Sequence, residues 1–352
     1  MGLTAETQFL WEFLQTVKKP VVLYGMGDGC EKIVRVCKHF GITVAGIFAS
    51  DEYVRGQSFL GYPVLRYAEA KERFGEMVIL LAFAVFEPGL TAQIKRIADE
   101  NELYAPDVPL FGETLFDRAF FEAHRDELEA VDRILADETS RRVFRSVLAY
   151  KISGKPAYLY GCETTKEEAY RRILTLGPRE CYADLGAYDG DTVKKFLKEV
   201  QNRYRRIYAF EPNLKNFKKL SRSFWGAADI RLLQKVAWNR AEVLRFSAKA
   251  GRSAAVDKTA SGWVRAAAVD DLVREPLTYL KLDVEGAERE ALEGCREQIR
   301  LFRPKLAVSG YHRSEDLFAI PRQVLSYRSD YRVYLRHHPY VPAWDTLYYF
   351  VP

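Results

Sequence analysis

Apolar positions in the first 110 or so residues come in short runs, separated by segments with helical spacing. "PVVLYGMGDG" (20–29) is an apolar run that ends in three glycines, and "CEKIVRVCKHFG" (30–41) has helical periodicity closed by Gly41. "ITVAGIFASD" (42–51) reads as a second buried strand ending at Asp51, and "EMVILLAF" (76–83) as a third. This alternation predicts an open parallel α/β sheet. From about residue 111 to 154 the pattern changes to apolar residues at three- and four-residue spacing with almost no glycine or proline. That predicts two or three helices joining the halves, with Asp137 or Thr139 as a cap.

The rest of the chain is a longer α/β alternation. Strands are predicted at "CYADL", "RIYAFE", "RLLQKVAW", "TYLKLDV" and "PKLAVSG", and helices at "TVKKFLKEV", "LKNFKKLSRSF", "AEREALEGC" and after Ser314. The last two strand-like runs, "YRVYLRHH" and "DTLYYFV", leave no room for a helix between them. They form a hairpin, so the final strand is expected to be antiparallel on an otherwise parallel sheet. The expected divisions are an accessory Rossmann-like α/β domain at 1–110, a helical linker at 111–154 and a second α/β domain at 155–352. A chain of 352 residues has room for two such domains with separate cores.

Composition removes several classes. With 48% hydrophobic and 29% charged residues the chain is globular rather than disordered, and no apolar run is long enough to span a bilayer. The N-terminus "MGLTAETQFLWEF" lacks the basic and apolar regions of a secretion signal, and Glu6 breaks the myristoylation pattern. Cys30, Cys37, Cys162, Cys181 and Cys295 are scattered and odd in number, which argues against a disulfide framework or zinc knuckle and favours the reducing cytoplasm. A net charge of +5 is too mild to imply nucleic acid. The basic run from Arg203 to Arg222 is read as the solvated face of a helix, so a nucleic-acid partner is disfavoured.

Open α/β sheets bind ligands outside the carboxyl ends of their strands. In the second half those ends carry Asp184, Gly186, Asp189 and Gly190, then Glu211, Pro212 and Asn213, then Asp283, Glu285 and Gly286, then Tyr311 and His312. The glycine spacing is Gly186-x-x-x-Gly190 rather than the dinucleotide pattern, and acids crowd the turn. Carboxylates at roughly 4 Å would repel a phosphate by a few kcal/mol, but would suit an amino group. Glu211, at the end of the next strand, is placed to accept both hydroxyls of an unphosphorylated ribose, and Pro212 biases it to an extended backbone. A cationic, phosphate-free nucleoside of this kind is S-adenosylmethionine.

"DLGAYDGDT", "FEPN" and "LKLDVEGAERE", in that order, resemble the FkbM family of S-adenosylmethionine-dependent methyltransferases, and "LADETSRRVF" resembles it more loosely. The resemblance covers residues 181–350 and implies a seven-stranded Rossmann-like class I sheet with an antiparallel last strand. It also implies O-methylation of a sugar, polysaccharide or secondary-metabolite hydroxyl. By the same resemblance Asp184, Gly186 and Asp189 would line the methionine end of the cofactor. Glu211 would take the ribose, with Asn213 beside it near the adenine, and Asp283 and Glu285 would face the methyl group and the acceptor. No motif places Val236 and Ala237, which could flank the adenine.

A hydroxyl needs help to lose its proton, and His312, Asp283 and Glu285 are the candidate bases. No metal triad is legible, although Asp283 could join one. RNA or protein methylation, or a non-catalytic nucleoside sensor, are the alternatives. The first domain's Gly25, Gly27 and Gly29 make a degraded glycine turn, with Cys30 where the pattern wants glycine and Asp51 ending the next strand. It resembles accessory domains that could hold a nucleotide-sugar; the rival reading is a scaffold or a homo-oligomer surface. "SAKAGRSAAVDKTASGW" (247–263) reads as a lid or an exposed hairpin loop.

Overall fold

The computed structural model describes residues 2–247, 255–256 and 260–352, so most of the stretch read as a lid lies outside the described residues. The first sheet has six strands in the order Ser58–Phe59, Tyr62–Leu65, Val44–Phe48, Val21–Tyr24, Val78–Leu81, Glu102–Tyr104. All pair in parallel except the hairpin of the first two. The three strands expected here are its central ones; the short edge strands carry too few apolar residues to announce themselves. Its glycines serve packing: a side chain at Gly25 would strike the Phe83 ring, and one at Gly29 the Ala82 carbonyl oxygen.

The second sheet is built from β1 (Cys181–Leu185), β2 (Arg206–Phe210), β3 (Ile230–Leu233), β4 (Tyr279–Leu282), β5 (Lys305–Ser309), β6 (Arg332–His337) and β7 (Thr346–Val351). Their order is β6-β7-β5-β4-β1-β2-β3, and β7 runs antiparallel to both of its neighbours. This is the seven-stranded class I arrangement with an antiparallel last strand. β1 and β4 are buried on both faces, as central parallel strands must be. "RLLQKVAW" is not one strand. The Lys235 N–H donates to the Leu233 carbonyl at 2.9 Å, a tight turn that ends β3 and sends Val236–Ala237 into a separate four-stranded sheet with Glu242–Ser247, Ala255–Val256 and Gly262–Ala267.

The helices that matter for the site are α1 (Glu138–Ser153), α2 (Asp191–Glu199), α3 (Leu214–Ser223), α4 (Glu288–Glu293) and α5 (Asp316–Tyr327). Asp137 is the cap of α1, accepting from the Ser140 N–H at 2.7 Å, and Thr139 lies inside the helix. The same Asp137 pairs with Arg336 of β6 at 2.6 Å. Ten residues of α1 are buried, so this helix is a wall of the core. Near its C-terminal end Lys151 makes a buried 2.7 Å ion pair with Asp107, just beyond the first sheet.

The expectation of two separate cores is corrected in consequence. One apolar cluster runs from Val22 and Ile79 of the first sheet through Phe144 and Leu148 of α1 to Leu280 and Phe350 of the second. Smaller clusters lie on the opposite faces of the two sheets. All five cysteines are buried free thiols. Among the described residues no helix is long and apolar enough to cross a membrane.

Candidate functional site

The carboxyl ends of β1, β2, β4 and β5 surround a cavity of about 1080 Å³, part of it open to solvent. Its shape begins with a glycine. Gly186 follows β1 at φ +88°, and any side chain there would overlap the carbonyl oxygen of Asp283 at the end of β4. Only glycine lets the two strand ends close to this extent. The turn continues through Tyr188 at φ +50° to Gly190, which starts α2 at φ +91°.

Glu211 projects from the end of β2 into this turn. Its Oε2 accepts the Tyr188 backbone N–H at 2.9 Å and its Oε1 the Asn213 backbone N–H at 2.8 Å. The residue is only 6% exposed, yet it lines the cavity. Burial pushes its carboxyl up to about 7, against the pull of the two backbone donors. Each carboxylate oxygen keeps acceptor capacity beyond its one backbone partner.

Under the floor, Asp184 is fully buried. It accepts a short hydrogen bond from the Thr192 hydroxyl and pairs with Lys281 Nζ at 3.2 Å. Lys281 also donates to the Gly186 carbonyl at 3.0 Å, which ties β4 to the β1 turn. Burial raises the Asp184 carboxyl, opposed by Lys281 and Thr192. Burial works to lower the Lys281 ammonium, but Asp184 and then Asp283 outweigh it and leave it raised.

At the end of β4, Asp283 Oδ1 accepts from the Ser309 hydroxyl at 2.9 Å and the Tyr311 hydroxyl at 3.1 Å. Burial would raise this carboxyl, yet the charges of Lys281 and His312, with those two hydroxyls, hold it below the usual range. Glu285 follows at φ +55°. Behind them the His312 ring, 1% exposed, has Nδ1 at 3.0 Å from Glu288 Oε1. Its Nε2 lies 3.6 Å from Glu285 Oε2 and 3.7 Å from Asp283 Oδ1. Burial alone would lower this imidazole; Glu288, Glu285 and Asp283 outweigh it and raise it to about 10.

Gly186, Glu211, Asp283 and Glu285 therefore line the cavity, as do Val236 and Ala237. Asp184, Asp189, Asn213 and His312 are not part of its wall. Asp184 is consumed by Lys281 beneath the floor, and Asp191 rather than Asp189 faces inward. Asn213 is the cap of α3, its side-chain oxygen accepting from Lys215 N at 2.9 Å and Asn216 N at 3.2 Å. His312 is sealed among carboxylates that, with no cation between them, favour its protonated form, and it does not reach the cavity.

Residues that sequence reasoning missed include Lys281, Tyr188, Asn216 and Trp344. Lys281 had a signal: a lone charge inside the buried run "YLKL" requires a buried partner. Trp344 had none, because it reaches the wall from the loop before β7. A second cavity, walled by Phe111, Trp238, Trp263 and Arg313, shares Glu285 and Val256 with the first.

Residues 184–341 match the family model of the methyltransferase FkbM domain. The chain carries an FkbM methyltransferase domain. Among solved structures it is similar to methyltransferase FkbM from Methylobacillus flagellatus KT, at 23% identity and a TM-score of 0.73, over 94% of this chain and 90% of that one. That likeness is in fold, and its coverage takes in both sheets. An rRNA methylase from Streptococcus thermophilus overlaps 56% of this chain and 96% of its own at 15% identity, with a TM-score of 0.34. Aeropyrum pernix fibrillarin, solved with natively bound S-adenosyl-L-methionine, overlaps 53% of this chain and 73% of its own at 14% identity, also with a TM-score of 0.34. Overlaps that partial carry no argument here. No curated protein matches the sequence.

Proposed function

We propose that the FkbM domain binds S-adenosylmethionine in the cavity above β1 and β2 and transfers its methyl group to a hydroxyl of a sugar, polysaccharide or other metabolite. The observation that carries the reading is Glu211, a buried carboxylate oriented by two backbone N–H groups with acceptor capacity left toward the cavity. A ribose diol donates two hydrogen bonds, and such a carboxylate accepts them without rearrangement. A dinucleotide phosphate, by contrast, would meet Asp191 and Glu211 where it needs bare N–H groups.

S-adenosylmethionine supplies an electrophilic methyl group on a sulfonium. The chain's own residues do the positioning. Asp191, at the start of α2, offers a carboxylate to the ligand's ammonium, and Lys281 and Lys195 offer cations to its carboxylate. Val236 and Ala237 give the adenine an apolar edge. Asp283, held as a carboxylate by Lys281, Ser309 and Tyr311, orients the acceptor hydroxyl, and most of the rate gain comes from this alignment. Glu285 sits where the two cavities meet and takes the acceptor proton. The second cavity, with Trp238, Trp263 and Phe111 beside Arg313, receives the acceptor.

Calorimetry with S-adenosylmethionine and its demethylated product tests the cofactor, and radiolabelled methyl transfer onto carbohydrate, RNA and protein pools tests the acceptor. Binding with label entering carbohydrate is expected. Label in RNA or protein instead would replace the acceptor class, and binding without transfer to any pool would favour a sensor.

A further inference from the structure

Behind the cavity wall, the ends of β4 and β5 and the start of α4 bring ligand-type side chains together. Asp283, Glu288 and His312 each offer a metal-ligating atom, all within 4.8 Å of one another. Glu288 and His312 are each 1% exposed. Buried polar atoms are normally hydrogen-bonded. Here, among the described residues, Glu288 Oε2 and both ring nitrogens of His312 have no hydrogen-bond partner.

The distances explain why. Nδ1 approaches Glu288 Oε1 to 3.0 Å without the alignment of a hydrogen bond. Nε2 lies 3.6 Å from Glu285 Oε2 and 3.7 Å from Asp283 Oδ1, beyond hydrogen-bond reach. Atoms that share one small cation, at bonds of ~2.1 Å and tetrahedral to octahedral angles, stand about 3.0–3.5 Å apart. His312 can give one ion only one of its ring nitrogens, and that atom with one carboxylate oxygen each from Asp283 and Glu288 lies within 4.8 Å, so side-chain rotation must draw the three together onto the ion.

We propose that Asp283, Glu288 and His312 hold a divalent transition-metal ion, with Glu285 at its open side. One imidazole and two carboxylates suit manganese, iron or zinc better than calcium, which prefers oxygen alone. Three protein ligands leave positions open, as sites that meet a substrate do. Asp283 belongs both to this cluster and to the cavity wall, so the ion stands one carboxylate behind the acceptor position. Its use in activating the acceptor hydroxyl rests on the methyl-transfer reading; its binding does not.

The test is direct binding by the chelator-stripped full chain, titrated with Mn²⁺ by electron paramagnetic resonance and with Zn²⁺ by calorimetry. One ion per chain is expected, with nitrogen coupling from an imidazole in the Mn²⁺ spectrum. Glu288→Gln and His312→Asn should each weaken binding at least about tenfold, the scale on which ligand-shell changes act. Glu211→Gln should keep the ion while losing cofactor affinity, which separates failure of this site from failure of the cofactor reading. Substoichiometric binding, a spectrum without nitrogen coupling, or undiminished binding by Glu288→Gln would overturn the proposal and leave His312 as a buried imidazolium. If His312→Asn fails to fold, the wild-type nitrogen coupling still decides.

Discussion

Glu211→Gln is the sharpest perturbation of the proposed cofactor site. The carboxylate accepts 2.9 and 2.8 Å bonds from the Tyr188 and Asn213 backbone N–H groups, and glutamine can satisfy only one of them while turning a donor toward the other. It also removes the charge that strengthens two bonds to a ribose. Loss of one charge-assisted bond costs about 1.5–3 kcal/mol, or roughly ten- to a hundredfold in affinity for S-adenosylmethionine and its demethylated product alike.

A second signature comes from pH. In the free protein the Glu211 carboxyl is raised to about 7, and only its charged form accepts two ribose hydroxyls. Binding therefore expels a proton at low pH, and affinity climbs with pH until it levels off above about 8. One unit below the pKa, about a tenth of the sites are charged, so affinity at pH 6 should be roughly tenfold below the plateau. Lys281, Asp191 and Lys195 share the wall, and the ligand's own amino group titrates too. The readout is therefore the ratio of wild-type to Glu211→Gln affinity, in which those contributions cancel. Calorimetry from pH 5.5 to 8.5 measures it. A ratio near one, or a ratio that does not change with pH, would refute the placement of the ribose on Glu211.

Three further outcomes test the surrounding framework. Asn213→Ala removes the α3 cap and should cost about 1 kcal/mol in denaturant unfolding, with less than about a tenfold change in cofactor affinity; a larger loss of binding at unchanged stability would return Asn213 to the ligand. Asp107→Ala leaves Lys151, whose side chain is 4% exposed, buried without its partner, and should destabilise by about 3–5 kcal/mol in the same assay; a change below about 1 kcal/mol would mean that water reaches Lys151. Gly186→Ala drives a methyl group into the Asp283 carbonyl at a φ of +88°, so a drop in thermal midpoint together with loss of cofactor binding is expected, and a wild-type-like protein would show that β1 and β4 do not close this tightly.

Local pattern was enough to place the strands of the second sheet and its closing hairpin, though not the turn that divides "RLLQKVAW" between two sheets. Buried parallel strands read as continuous apolar runs, and the few residues between "YRVYLRHH" and "DTLYYFV" leave room only for a turn. The same logic, that ligands meet a sheet of this kind at its strand ends, named Gly186, Glu211, Asp283 and Glu285, and these four line the cavity. Which acid faces the cavity was not a local property. Asp184 and Lys281 are 97 positions apart in sequence, and only the pairing of β1 with β4 sets them side by side and removes Asp184 from the wall. The His312 cluster likewise needs β5 and α4 to converge behind β4, since residues 283, 288 and 312 share no spacing that a sequence scan would group. The continuous core shows the same limit. The period of α1 announces a helix, but that its two ends are tied to Arg336 and Asp107 follows from where the two sheets come to lie. Strand and helix patterns are set by residues near in the chain; burial, charge pairing and ligand access are set by residues near in space.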